Sequence, residues 1–112
     1  MRKFPFLNLL AACLLAIGAH AEVPADAVWI DVRTPTEYAQ GHLPQASNIP
    51  FDGIVVGVAG LKLPKDSPIY LYCASGGRAG KARQSLMDDG YTNVTNAGGL
   101  EDAKKMTGEA SP

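Results

Sequence analysis

One stretch of the chain concentrates groups able to do chemistry: Cys73-Ala74-Ser75-Gly76-Gly77-Arg78. A thiol is a useful nucleophile only as thiolate, and a free cysteine has a pKa of about 8.5. Here Ile69-Tyr70-Leu71-Tyr72 leads into the loop as a buried strand, and residues 78–89 leave it as a helix. A thiol at that junction faces the unpaired N–H groups and the positive dipole end of the helix, both of which favour the anion. Gly76 and Gly77 lack Cβ, so the backbone can curl and aim successive N–H groups into one concavity. Arg78 adds a fixed positive charge with forked donors suited to an oxyanion such as a sulfonate. The expectation is a nucleophilic Cys73 on the floor of an anion cradle. Its walls are the backbone N–H groups of Ala74, Ser75, Gly76 and Gly77, and Arg78 stands at the rim. The competing reading is an inert cysteine that ends a core strand before an ordinary Gly-rich turn. The convergence of strand end, glycine pair, arginine and helix start favours the reactive one.

Four more residues belong to the candidate site. Asp31 and Arg33 end the first strand on the same sheet edge as the loop, and an internal ion-pair network with Glu37 is expected of them. His42 is the one histidine beyond residue 21, so a Cys73–His42 hydrolase-like pair has to be weighed. Its place in the turn Gly41-His42-Leu43 favours a hydrogen-bonding structural role instead. Cys73 and His42 alone fall short of the ligand set of a structural zinc site, and no metal is expected. Tyr70 and Tyr72 read as strand packing, with Tyr72 also able to line the pocket beside Cys73.

The elements that must position these groups alternate along the chain. Val28-Trp29-Ile30-Asp31-Val32 reads as a buried strand. Thr34 and Pro35 then start a short helix over 35–40 as N-cap and first helical residue, and Gly41 ends it. Residues 46–49 form a second strand, whereas 51–60 suit neither helix nor clean strand. After the loop, Ala79, Ala82 and Leu86 share one face of the 78–89 helix, with Gly90 as its stop. A strand over 91–95, a loop at Ala97-Gly98-Gly99, a helix over 100–106 and a frayed tail from Thr107 complete the pattern. Such alternation predicts an α/β fold, a largely parallel sheet flanked by helices on both faces. In such sheets ligands bind beyond the carboxyl ends of the strands, where Cys73 falls.

The 112 residues carry 46% hydrophobic side chains, a net charge of −1 and two cysteines, but the start of the chain distorts these figures. Arg2 and Lys3, an apolar stretch to Gly18 and Ala19-His20-Ala21 have the form of a secretory signal peptide cleaved after residue 21. Leu10-Ala11-Ala12-Cys13 is the alternative, a lipidation site, and an uncleaved anchor is a third, although the apolar stretch is short of the ~20 residues a span needs. Cleavage leaves one domain, residues 22–112, with 8 basic against 11 acidic residues and Cys73 without a disulfide partner. A net charge of −3 argues against nucleic acid or an anionic membrane as partner. An exported chain of this kind is expected in the periplasm, and its sequence does not set an oligomeric state.

Together these residues resemble the rhodanese family over nearly the whole mature domain. Asp31-Val32-Arg33, Glu37-Tyr38, Gly41-His42-Leu43, Ala46 and Asn48-Ile49-Pro50 match its N-terminal signature. Cys73 to Arg78 match its six-residue active-site loop, and Gly98-Gly99 its C-terminal glycine pair. An exported single domain is most similar to the thiosulfate sulfurtransferases of the phage-shock protein E type. The resemblance implies a double displacement, in which Cys73 takes the outer sulfur of thiosulfate as a persulfide and passes it to a thiophile such as cyanide. Small-molecule donors and acceptors and no cofactor follow from it. A persulfide carrier, or redox-binding protein, acting on a protein partner is the alternative. Related phosphatases and arsenate reductases have a longer cysteine-to-arginine loop; the four residues between Cys73 and Arg78 make a smaller cradle, suited to sulfur. Two departures stand out. Many thiosulfate-using members carry a basic residue where this chain has Ala74, and a tryptophan where it has Ala103. A less positive rim weakens capture of a dianion.

Overall fold

The structure, a computed structural model, describes residues 22–108. The expected signal peptide, Cys13 within it and the last four residues lie outside the described residues. Strand β1 (Val28–Asp31) is followed by helix α1 (Pro35–Ala39), β2 (Ala46–Asn48), and a 3-10 turn (Phe51–Gly53) that runs into α2 (Ile54–Ala59). Then come β3 (Ile69–Cys73), α3 (Gly77–Asp88), β4 (Val94–Gly99) and α4 (Leu100–Thr107).

The four described strands form one sheet in the order β2-β1-β3-β4, and every neighbouring pair is parallel. Central strand β3 is buried at every position, as the unbroken apolar run Ile69-Tyr70-Leu71-Tyr72 requires of a strand covered on both faces. Alternation along β3 divides the core in two. Ile69, Leu71 and Cys73 pack with Ile54 and Val58 of α2 and with Ala79, Ala82 and Leu86 of α3. Tyr70 and Tyr72 pack on the other face with Trp29, Leu43, Ala97 and Ala103 of α4. Ala103, in the place of a family tryptophan, is thus a buried small residue in a cluster already holding one indole and two phenols.

Winding direction reverses between β1 and β3: from β1 the chain moves outward to β2, and from β3 it moves the other way to β4. The carboxyl ends of β1 and β3 therefore part at a switch point, the usual crevice of such sheets. Asp31 and Cys73 end these two strands.

Three expectations are corrected. Residues 51–60 are helical in their second half, because Ile54 and Val58, one turn apart, are both buried; that burial overrides the low helix propensity of Val and Gly. The last helix runs one residue past the expected 106, to Thr107, whose hydroxyl donates to the Ala103 and Lys104 carbonyls. Most important, β4 runs over Val94–Gly99 and not 91–95. Tyr91 instead completes the cap of α3: Gly90, at φ +100°, donates to Met87 O at 3.0 Å and Tyr91 to Leu86 O at 3.0 Å. Its buried ring packs in the cluster that holds Leu86.

Gly98 and Gly99, expected in a loop, end the strand. The register steps from Leu71↔Asn96 to Cys73↔Gly99, so β4 carries one extra residue, and Gly98 takes it up at φ +88°. A Cβ on Gly99 would fall inside contact distance of the Ala74 carbonyl oxygen, which is backbone and cannot swing aside. Gly99→Ala is therefore expected to cost about 1–3 kcal/mol, read as a lowered urea midpoint. Gly53→Ala, where an added Cβ meets nothing within 4 Å, serves as the control and should stay within about 0.5 kcal/mol of the parent.

Candidate active site

Cys73 ends β3 with 1% of its surface exposed. The chain then turns through Ala74 and Ser75 to Gly76, which adopts φ +107° and caps α3. That conformation, open to glycine and strained for other residues, points the Gly76 N–H back at Cys73 Sγ, 2.9 Å away. Burial pushes the thiol pKa up, but the amides of Ala79, Ser75, Gly76 and Arg78 outweigh it and hold the group below the ordinary thiol value. The N–H groups that favour the thiolate extend into the helix. Ser75, Gly76 and Arg78 contribute, Ala79 joins them from the first turn of α3, and Ala74 lays its carbonyl against Gly99.

Asn96 was not legible as a site residue. Its side-chain amide donates to Gly76 O at 2.9 Å, and its Oδ1 accepts the Gly98 N–H at 2.9 Å. One side chain so ties the end of β4 to Gly76, the residue whose N–H faces the sulfur. Asp102 accepts the Gly99 N–H at 2.8 Å and holds the glycine pair from the α4 side. An asparagine two residues before a glycine pair carries no distinguishing signal; only the bulged register brings it to Gly76.

Asp31 and Arg33 form a buried network, as expected. The Asp31 carboxylate, fully buried, accepts from Arg33 N at 2.9 Å, Nε at 3.0 Å and Nη2 at 2.6 Å; Nη2 also donates to Gly41 O at 2.7 Å. Asn48 Nδ2 donates to the carbonyls of Asp31 and Arg33, both at 3.0 Å, and clamps the turn after β1. The Arg33 guanidinium lies 5.7 Å from the centre of the Tyr72 ring, and the Tyr72 hydroxyl accepts the Leu43 N–H at 3.1 Å. Burial, with the Asp31 carboxylate beside it, keeps that phenol protonated well above its ordinary range. Tyr72 is wholly buried in the cluster on the opposite sheet face from Cys73, so it does not line the pocket. His42 bonds to Tyr38 O through Nδ1 at 2.8 Å and stacks on the Tyr38 ring at 3.5 Å. A carbonyl only accepts, so Nδ1 carries the proton. The bond and the stacking tie the turn after α1 back onto that helix.

Glu37 departs from expectation. It stands apart from the Asp31–Arg33 pair and engages Arg78 with both oxygens, Nη1 to Oε1 at 2.8 Å and Nη2 to Oε2 at 3.0 Å. The same carboxylate closes a capping box on α1: Thr34 N donates to Oε1 at 3.0 Å, and Glu37 N donates to Thr34 Oγ1 at 3.2 Å. Arg78 first, and then Thr34, pull the Glu37 acid down to about 2. Among the described residues, no three His, Cys, Asp or Glu side chains cluster as a metal site, and no helix is long and apolar enough to cross a membrane.

A recessed thiol faced by N–H donors, with an arginine at the head of the next helix, is a setting that favours negative charge on sulfur. Comparison with known proteins agrees with the architecture, since the rhodanese-like domain model matches residues 18–105. The chain belongs to the rhodanese family. Thiosulfate sulfurtransferase PspE of Escherichia coli strain K12 is 40% identical to it over 91 residues, 80% of this chain and 88% of that protein. A sulfurtransferase of Allochromatium vinosum is 39% identical over 74 residues, 66% of this chain and 67% of the relative. A solved E. coli rhodanese with anions superimposes with a TM-score of 0.65 at 41% identity, covering 68% of this chain and 89% of the other. The rhodanese domain is thus a member of a sulfurtransferase family, with the α/β fold expected of it.

Two measurements check the electrostatics of the site. The rate of Cys73 alkylation by iodoacetamide should rise with pH to a plateau, with its midpoint below that of an unperturbed thiol. For Glu37, the folded acid titrates near 2 against an ordinary 4.5, so its pairing contributes stability that is fully present above 4.5 and lost as pH falls toward 2. The gap in urea midpoint between the parent and Glu37→Gln should be widest near neutral pH and close across that window.

Proposed function

We propose that this rhodanese is a thiosulfate sulfurtransferase working by double displacement at Cys73. The carrying observation is the buried Cys73 sulfur with backbone N–H groups turned toward it, the Gly76 N–H at 2.9 Å. In the first step the Cys73 thiolate attacks the outer sulfur of thiosulfate. A new S–S bond forms, the old one breaks, and sulfite leaves with the bonding electron pair. The resulting persulfide anion is one atom longer than the thiolate, and the Ser75, Gly76 and Arg78 amides can follow the charge outward. In the second step a thiophile such as cyanide attacks the terminal sulfur and departs as thiocyanate, which regenerates the thiolate. Both displacements occur between sulfur and a nucleophile, so neither calls for a metal or an organic cofactor.

Arg78 holds the sulfonate end of the donor. Glu37 engages one N–H on each terminal nitrogen, and a guanidinium has five donors, so N–H groups remain for an anion. The name of the PspE relative supports thiosulfate as donor. The form of residues 1–21 supports work outside the cytoplasm, in the periplasm, on small diffusible donors and acceptors.

Turnover of thiosulfate and cyanide to thiocyanate tests the reading. Cys73→Ser should abolish it. Arg78→Ala should raise KM for thiosulfate about tenfold, the loss of one charge-assisted contact, while mass spectrometry still finds an extra sulfur on Cys73. Loading of that sulfur without any thiocyanate would favour a carrier that hands its persulfide to a protein, and an unchanged KM would remove Arg78 from donor binding.

A further inference from the structure

Arg78 is the single basic side chain in the Cys73 loop and the first turn of α3. The other arginine at this edge, Arg33, is buried and bonded to Asp31 and Gly41. Ala74, exposed at the rim, adds no charge. The cation that would draw an anion to the mouth therefore already faces an anion, Glu37, across two hydrogen bonds of 2.8 and 3.0 Å. Glu37 is not free to withdraw. Its Oε1 also accepts the Thr34 N–H at 3.0 Å and the Thr34 hydroxyl at 3.1 Å, so a donor that displaced it from Arg78 would disturb the cap of α1 as well.

We propose that Glu37 is a specificity-determining residue that selects sulfur donors by charge, favouring singly charged or neutral sulfane donors such as organic thiosulfonates and persulfides over doubly charged thiosulfate. The inference rests on sulfur transfer at Cys73 and refines its substrate class. Coulomb energy scales with the product of the charges, so a fixed carboxylate at the mouth opposes a dianion twice as strongly as a monoanion at the same distance. The amide cradle, which carries partial charges only, serves both. The chemistry is unchanged. With a thiosulfonate the S–S bond breaks and the sulfinate leaves with the electron pair; with an organic persulfide the thiolate RS⁻ leaves and the proton stays on the transferred sulfur.

The test compares kcat/KM for thiosulfate and for methanethiosulfonate, with cyanide as acceptor, in the full chain and in Glu37→Gln. Glutamine can still accept the Thr34 N–H and keep the capping box, but it carries no charge. Expected is a gain of about tenfold for thiosulfate, carried by KM, against about threefold for methanethiosulfonate, with both gains shrinking as salt is added. In the unsubstituted protein, kcat/KM for thiosulfate should not fall as ionic strength rises, because the mouth presents no uncompensated cation. A folded Glu37→Gln variant with an unchanged donor ratio overturns the proposal. So does a steep salt-dependent fall in the parent, which decides the matter even if the variant does not fold. If mass spectrometry finds no sulfur on Cys73 with either donor, the sulfur-transfer reading fails first and the selectivity goes with it.

Discussion

A sulfur with almost no access to water, faced by backbone amides that favour its anion, is the constraint on which the rest of this structure depends. Burial of an unpaired charge is costly enough that the group would take up a proton instead. The protein meets that cost with backbone amides, which bring no counter-charge and lose no side-chain freedom. Amides point where the backbone points, however, so the requirement passes to backbone geometry. Gly76 must sit at positive φ, α3 must begin just beyond it, and the amides of Ser75, Gly76, Arg78 and Ala79 must face Sγ. The carbonyl of Ala74, turned away from the sulfur, then needs room, which Gly99 supplies by having no side chain. Asn96 holds Gly76 through its carbonyl, on the side away from that N–H. Glycines and an asparagine far apart in sequence answer to one atom.

Two arginines at the same sheet edge show how burial divides the work of charge. Arg33 and Asp31 are both buried, and every contact between them is local and multiply bonded, which is the condition under which a buried pair is tolerated. With Asn48 and Tyr72 they make a bonded network under the crevice. Arg78 and Glu37 are partly exposed and reach each other across 41 positions of sequence. That pair joins α1 to α3 over the mouth of the cradle and sets the charge that an arriving anion meets.

Much of this was legible in the residues themselves. An apolar run too uniform for a one-sided strand announced β3, and a cysteine at its carboxyl end followed by two glycines and an arginine announced the cradle. Thr34-Pro35 with Glu37 announced the start of α1, and Gly90 the end of α3. These features depend on interactions within a few residues, whose types already state the backbone conformation they permit. The resemblance to rhodaneses rested on the same short motifs.

What the sequence by itself determined, then, was the order of elements, the parallel α/β class and the place of the one cysteine of the domain at the end of β3. Tertiary structure decided the rest. It ran β4 through the glycine pair, because close approach of the Ala74 backbone outweighed the poor strand propensity of glycine. It recruited Ala79 and Asn96 to the cradle, and it gave Glu37 to Arg78 and not to Arg33. Each of these outcomes depends on which distant segments the sheet brings together. Short-range residue chemistry names the groups able to react, but only the packed sheet sets the distances that choose their partners.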